Sequence, residues 1–160
     1  MLEWYSRLNE GKTADYIVDG SWSKAAATEA QNFGDINVIN ITNDNDGSTS
    51  IIAPKDWPLN PDAAYVHYCP NETVNGIEIN EIPETNGVPL VADMSSTILS
   101  HEIDVTKFGV IYAGAQKNLG PSGVALVIVR KDLLGKVDRH IPTMLDYRTH
   151  IEKGSTFNTP

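Results

Sequence analysis

Apolar residues in this chain come in short runs, separated by clusters of Gly, Pro, Asn and Asp. Residues 14–18 (ADYIV) are mostly apolar and are followed by Asp19-Gly20, which predicts a strand ending in a turn. Residues 23–33 (SKAAATEAQNF) are alanine-rich, open on Ser23 and are followed by Gly34, which predicts a helix with a serine cap and a glycine stop. Residues 37–42 (NVINIT) predict a second strand, 43–50 (NDNDGSTS) a turn cluster, and 57–61, with two prolines, a connector. Four more runs predict strands: 63–68 (AAYVHY), 89–92 (PLVA), 109–113 (GVIYA) and 124–130 (VALVIVR). The middle two are nearly all apolar and lack alternation, the mark of strands covered on both faces. Residues 131–137 predict a short helix, and the polar tail 150–160 (HIEKGSTFNTP) predicts a loop. This order implies one α/β domain over residues 1–160, a three-layer α/β/α sandwich around a mostly parallel sheet.

Composition changes that picture little. Apolar residues make up 41% and charged residues 21%, as in ordinary globular proteins. The net charge of −9, from 21 acidic and 12 basic residues, argues against a nucleic-acid surface, which needs clustered Lys and Arg. No apolar run approaches the roughly 20 residues that cross a bilayer. Residues 1–5 (MLEWY) do not begin a basic-then-apolar leader, so no secretion signal is expected. A lone cysteine, Cys69, has no internal disulfide partner, which fits a reducing cytosol. The sequons at Asn40 and Asn71 are then expected to be coincidental.

Chemistry is expected where buried strands end, because ligands of α/β sheets bind beyond the carboxyl ends of the strands. Asp93 follows the strand-like Leu90-Val91-Ala92; as an alternative to a ligand role, it caps the turn in Asp-Met-Ser-Ser. Lys117 lies just past the run 109–113, within Gly114-Ala115-Gln116-Lys117-Asn118-Leu119-Gly120, where small neighbours leave room. A lysine is by default solvent-exposed. An electron-poor cofactor ring needs both an amine that links to it and a carboxylate that keeps its ring nitrogen protonated. Trp22 lies between the first strand and its helix, placed either to stack on such a ring or to pack beneath the helix. Thr73 follows the run 63–68 and either donates to a ring substituent or finishes a turn. His67 and Cys69 are two residues apart, but no second His/Cys pair completes a tetrahedral metal set, and His101, His140 and His150 are scattered. No nucleophile-elbow, P-loop or dinucleotide fingerprint occurs.

Several long strings carry more information than spacing does. Residues 63–73 (AAYVHYCPNET), 91–96 (VADMSS) and 111–121 (IYAGAQKNLGP) closely resemble the phosphoserine aminotransferase family, class-V aminotransferases of pyridoxal-phosphate fold type I. So do Gly20-Ser21-Trp22-Ser23, Leu145-Asp146-Tyr147 and the closing 154–160 (GSTFNTP). The resemblance implies a cytoplasmic, homodimeric enzyme of serine biosynthesis. It would transfer an amino group from glutamate to 3-phosphohydroxypyruvate, giving phosphoserine and 2-oxoglutarate. Carried over by motif, Lys117 is the Schiff-base lysine and proton shuttle, and Asp93 pairs with the pyridinium nitrogen. Trp22 stacks on the ring, Thr73 bonds the ring hydroxyl and Gln116 touches the cofactor phosphate. Asn158 and Thr159 reach across the dimer to the partner's cofactor phosphate. Family members are more than twice as long, so the resemblance implies part of the large cofactor domain, without the N-terminal segment and the small C-terminal domain that bind substrate anions. Little activity is therefore expected of these 160 residues alone. Two rivals remain. One is a cysteine desulfurase, disfavoured because Gln116 rather than His precedes Lys117 and Cys69 sits beside Pro70. The other is a non-catalytic domain that keeps the fold as a binding or assembly module.

Overall fold

A computed structural model describes residues 12–45, 48–136 and 140–157. Ten strands and two α-helices occur among them. The strands are β1 (Ala14–Val18), β2 (Ile36–Asn40), β3 (Thr42–Asn45), β4 (Ser48–Ile51), β5 (Val66–Tyr68), β6 (Asn71–Glu72), β7 (Ile77–Glu78), β8 (Leu90–Asp93), β9 (Val110–Gly114) and β10 (Ala125–Val129). The helices are α1 (Ser21–Ala30) and α2 (Tyr147–Glu152). Six strands form the central sheet in the order β10-β9-β8-β5-β1-β2. Neighbours pair in parallel throughout, except that β10 runs antiparallel to β9. The expected α/β class and mostly parallel sheet are therefore what the chain forms.

The apolar runs are explained by two cores. On one face Ile17, Val66, Leu90, Ala92 and Ile111 meet Trp57, Ile79, Met94, Ile98 and Phe108. On the other, Tyr16, Val18, Val91, Val110 and Tyr112 meet Ala27 and Ala30 of α1, Leu133, and Tyr147 of α2. Alternate residues of each central strand thus enter opposite cores, and both cores are apolar, so the sequence of β8 and β9 shows no alternation.

The local departures from expectation have physical causes. The helix begins at Ser21, two residues before the expected cap, and Gly20 is its N-cap. Ser23 lies inside the first turn and reaches back: its Oγ accepts from the N–H of Asp19 and of Gly20, each at 3.1 Å. Residues 43–50 are mostly strand rather than turn. β3 and β4 pair antiparallel, with Thr42 opposite Ile51 and Asn43 opposite Ser50, because β2 ends at Asn40 and the polar run continues as a separate hairpin. Within 131–137 only Lys131–Leu133 forms a turn of 3-10 helix. The tail expected as a loop from residue 150 is helical to Glu152, because Asp146 caps α2 by accepting from the N–H of Arg148. Among the described residues, the core opposite α1 is covered by loops and 3-10 turns instead of helices. The loop before β8 contains Pro83 and Pro89 and turns at Asn86-Gly87 with φ of 51° and 91°, which no α-helix tolerates. The expected second helical layer is therefore not seen there.

Candidate functional site

Because β1, β5, β8 and β9 are parallel, their carboxyl ends lie along one sheet edge. Residues leaving those ends line a cleft of about 110 Å³: Trp22 after β1, Cys69 and Asn71 after β5, Asp93, Ser95 and Ser96 from β8, and Gln116 and Lys117 after β9. A wider cleft of about 540 Å³ opens at the opposite strand ends, between residues 61–64 and 86–89 with Lys12 and Lys136, and contains none of the chemistry-bearing residues singled out in the sequence.

Lys117 occupies the turn after β9. Its Nζ donates to Thr73 Oγ1 at 3.1 Å and lies 5.2 Å from the centroid of the Trp22 ring. The indole is 52% exposed, so Trp22 is a wall of the cleft and not a core residue under the helix. Thr73 is in the hairpin joining β6 to β7, and that hairpin brings it to Lys117 across 44 positions of sequence. Asp93 closes β8. Its Oδ1 accepts from the N–H of Ser95 at 3.0 Å and from Ser95 Oγ at 2.6 Å, so it makes the expected turn contact while lining the cleft. Gln116 also lines the cleft. Asn158 and Thr159 lie outside the described residues.

Several residues here were not singled out in the sequence. Ser95 accepts from the N–H of Gly114 at 3.0 Å, tying the ends of β8 and β9 together. Ser96 Oγ donates to the carbonyl of Asn71 at 3.1 Å and accepts from Asn71 Nδ2 at 2.9 Å, fixing the β6 hairpin to the turn after β8. The string Asp93-Met94-Ser95-Ser96 held the signal, since paired hydroxyls after a strand-ending aspartate are suited to lock adjacent strand ends. Glu72 left no comparable signal, yet it is wholly buried and accepts from the N–H of Trp22 and of Ser23.

The electrostatics are those of a carboxylate-rich, partly dry site. Burial pushes the Asp19 carboxyl up to about 6; the Ser23 hydroxyl opposes the shift and the Glu72 charge adds to it. Burial, with the carboxylates of Asp93, Glu72 and Asp19, pushes the Cys69 thiol well up. His67 is not beside this chemistry. It is fully buried, stacks on Tyr16 at 4.7 Å between centroids, and shares a 3.0 Å hydrogen bond between Nε2 and the Tyr112 hydroxyl. Burial drives its pKa down to about 3, so it stays a neutral core imidazole at ordinary pH. No cluster of metal-ligating side chains occurs among the described residues.

An amine at one strand end, a carboxylate at the next and an aromatic wall form the donor set that an electron-poor aldehyde cofactor requires. Comparison with known proteins points to the same chemistry. A phosphoserine aminotransferase of Pseudoalteromonas translucida (strain TAC 125) is 55% identical over 151 residues, which are 94% of this chain and 42% of that protein. The solved phosphoserine aminotransferase of Bacillus circulans subsp. alkalophilus superposes with a TM-score of 0.85 at 41% identity, covering 98% of this chain and 44% of that one. A PLP-bound phosphoserine aminotransferase from Trichomonas vaginalis gives 0.83 at 38% identity, covering 98% and 44%. The chain thus spans well under half the length of these relatives. The sequence model of the family described as aminotransferase class-V matches residues 1–157, nearly the whole chain, and with the sheet edge and its lysine in place the chain belongs to the class-V aminotransferases.

Proposed function

We propose that this chain carries the cofactor-linking part of a pyridoxal-phosphate-dependent phosphoserine aminotransferase, with Lys117 as the lysine that joins the cofactor. The observation that carries the reading is the position of Lys117 Nζ, held between the Trp22 ring and the Thr73 hydroxyl in a cleft that Asp93 also lines. Pyridoxal phosphate, when bound, supplies an electron sink for the carbon that loses its proton. The residues present fit such a group. Lys117 provides an amine that both links and shuttles a proton, and its contacts fix where that amine stands. Asp93 provides a negative charge that holds a ring nitrogen protonated. Trp22 provides a flat face and excludes water from one side. Thr73 provides a hydroxyl for a ring substituent, and Gln116 an amide for the phosphate.

The amino donor and acceptor in this reading are glutamate and 3-phosphohydroxypyruvate, in serine biosynthesis. Support comes from the names of the relatives that match across nearly the whole of this chain. A homodimer in which Asn158 and Thr159 reach a partner's cofactor is part of the same proposal. So is a cytoplasmic location, supported by the single, buried Cys69. No helix among the described residues is long and apolar enough to cross a membrane.

Adding pyridoxal phosphate to the purified chain tests the reading. The expected result is a visible absorption band that borohydride bleaches, with the reduced cofactor mapped by mass spectrometry to Lys117 and absent from Lys117→Ala. No band at saturating cofactor, or attachment spread over surface lysines, would overturn it.

A further inference from the structure

The N-terminus of α1 is closed by the hairpin that carries Thr73. The N–H of Ser21 donates to Asn75 Oδ1 at 3.0 Å, and Ser21 Oγ donates to the same atom at 3.2 Å. The N–H of Trp22 donates to Glu72 Oε2 at 3.0 Å, and that of Ser23 to Glu72 Oε1. The N–H of Lys24 is already inside the helix, on the carbonyl of Gly20. The free amides of the first turn, which otherwise need a cap or a bound anion, are therefore taken by two side chains from residues 72–75. A fully buried carboxylate is costly unless its charge is matched; here two charge-assisted bonds and the positive end of the helix match it.

The connection works in both directions. Glu72 immediately precedes Thr73, and its carboxylate grips the backbone of Trp22. Thr73 and Trp22 are the two residues that hold Lys117 Nζ. One buried side chain therefore sets the separation of the two groups on either side of the lysine. The hairpin has its own stiffness: the N–H of Gly76 donates to the Glu72 carbonyl at 2.8 Å, with Gly76 at a φ of 67° that glycine favours. At Gly20 a Cβ would stand 2.5 Å from Glu72 Cδ and 2.7 Å from Asn75 Oδ1, so the grip requires a glycine there.

We propose that Glu72, assisted by Asn75, is a positioning residue of the cofactor site: it docks the β6–β7 hairpin on the N-terminus of α1 and so holds Trp22 and Thr73 about Lys117. The proposal rests on the reading of Lys117 as the cofactor lysine, but the docking itself is testable without cofactor. Glu72→Gln keeps the size of the side chain and replaces one accepting oxygen by a donor that faces an amide N–H. Thr73→Ala is the comparison, because it removes the lysine's partner and leaves α1 capped.

Two readouts decide. In the cofactor-free chain, acetylation of Lys117 by acetic anhydride is followed by mass spectrometry against Lys24, Lys107 and Lys131 as internal standards, with amide exchange of Trp22 and Ser23 measured in parallel. The expected result is that Glu72→Gln raises both the relative Lys117 labelling and the exchange of those amides several-fold. Thr73→Ala is expected to raise only the labelling, and Asn75→Ala to produce a smaller change of the Glu72→Gln kind. In the second readout, pyridoxal phosphate binding, followed by its absorption, weakens about tenfold in Glu72→Gln. A folded Glu72→Gln with unchanged Lys117 labelling overturns the positioning role. If Glu72→Gln does not fold, Asn75→Ala decides by the same labelling. If the unaltered chain binds no cofactor at Lys117, the functional reading fails, and the labelling still decides whether Glu72 positions the lysine's neighbours.

Discussion

Asp19 is a costly charge in this fold, because burial opposes its ionisation. It follows β1, is 3% exposed, and its Oδ2 has no hydrogen-bond partner among the described residues. Its Oδ1 accepts from Ser23 Oγ at 3.0 Å, and the buried Glu72 carboxylate is near enough to repel it. The carboxyl consequently titrates near 6 in place of 3.8. The folded chain therefore holds a proton on Asp19 that the unfolded chain has released, between these two values. Stability from this group is thus lost as pH rises through that window and regained as pH falls. A shift of this size corresponds to about 3 kcal/mol of destabilisation at about pH 7.5, falling to about 1 kcal/mol at about pH 4.5. Asp19→Asn keeps an oxygen for Ser23 and removes the charge. It should stabilise the chain by up to about 3 kcal/mol at about pH 7.5, equivalent to a rise of roughly 6–12 °C in Tm for a domain of this size. The advantage should shrink by about 2 kcal/mol on acidification to about pH 4.5. Paired urea titrations of both chains at the two pH values measure this difference and cancel the contributions of other titrating groups such as His67. An Asn variant whose stability difference is the same at both pH values, or which is less stable at the higher one, refutes the assignment of a buried, repelled carboxylate.

Two further outcomes follow from the same region. Gly20→Ala should cost about 1–3 kcal/mol in urea unfolding, because the new Cβ meets the pinned side chain of Glu72 and not a mobile surface group; an unchanged midpoint would show that the docking yields freely. Cys69, whose thiol is pushed up by its burial and, secondarily, by nearby carboxylates, should react with iodoacetamide at neutral pH far more slowly than the same chain in urea. Equal rates would mean that the cleft opens readily.

How much of this was legible in the sequence depended on range. β1, β5, β8 and β9 were visible as apolar runs because burial on both faces leaves no other pattern, and β10 was visible by its apolar composition although it is a half-exposed edge strand. Asp93, Trp22 and Lys117 were singled out because they leave strand ends where ligands of such sheets bind, and Gln116 only because the string around Lys117 is specific. The start of α1 was hidden because a capping serine and a serine reaching back from the first turn look alike in sequence, and only the position of Gly20 against Glu72 separates them. The hairpin β3–β4 looks like a turn in sequence because NDND lacks the apolar alternation that marks a strand with one buried face. Glu72 could not be found locally: its partners, the amides of Trp22 and Ser23, are about fifty positions away and are backbone groups that every sequence has.

The occupied helix end also bears on how this chain would take a phosphorylated cofactor. A phosphate commonly sits on free amides at a helix N-terminus. In α1 those amides serve Glu72 and Asn75, so that route is closed. Lys117 is the sole cation among the described residues lining the cleft, and in the proposed role its amine joins the ring, leaving Gln116 and, in the proposed homodimer, the uncharged Asn158 and Thr159 of a second copy for the phosphate. A neutral amide contributes less than a charged partner, for which a hydrogen bond is worth about 1.5–3 kcal/mol. The carboxylates nearby and the chain's net charge of −9 oppose a dianion further. 5′-Deoxypyridoxal, which like the phosphate ester cannot close on its own aldehyde, and pyridoxal phosphate should therefore bind Lys117 of this chain with affinities within about tenfold of each other, whereas even one well-placed cation–phosphate bond would separate them by about that factor or more. Absorption titrations with the two aldehydes, each checked by borohydride trapping at Lys117, measure the ratio. A preference for the phosphorylated form by a hundredfold or more would show that this chain possesses a phosphate anchor outside the described lining, and would refute the inference that the site holds its ring more firmly than its phosphate.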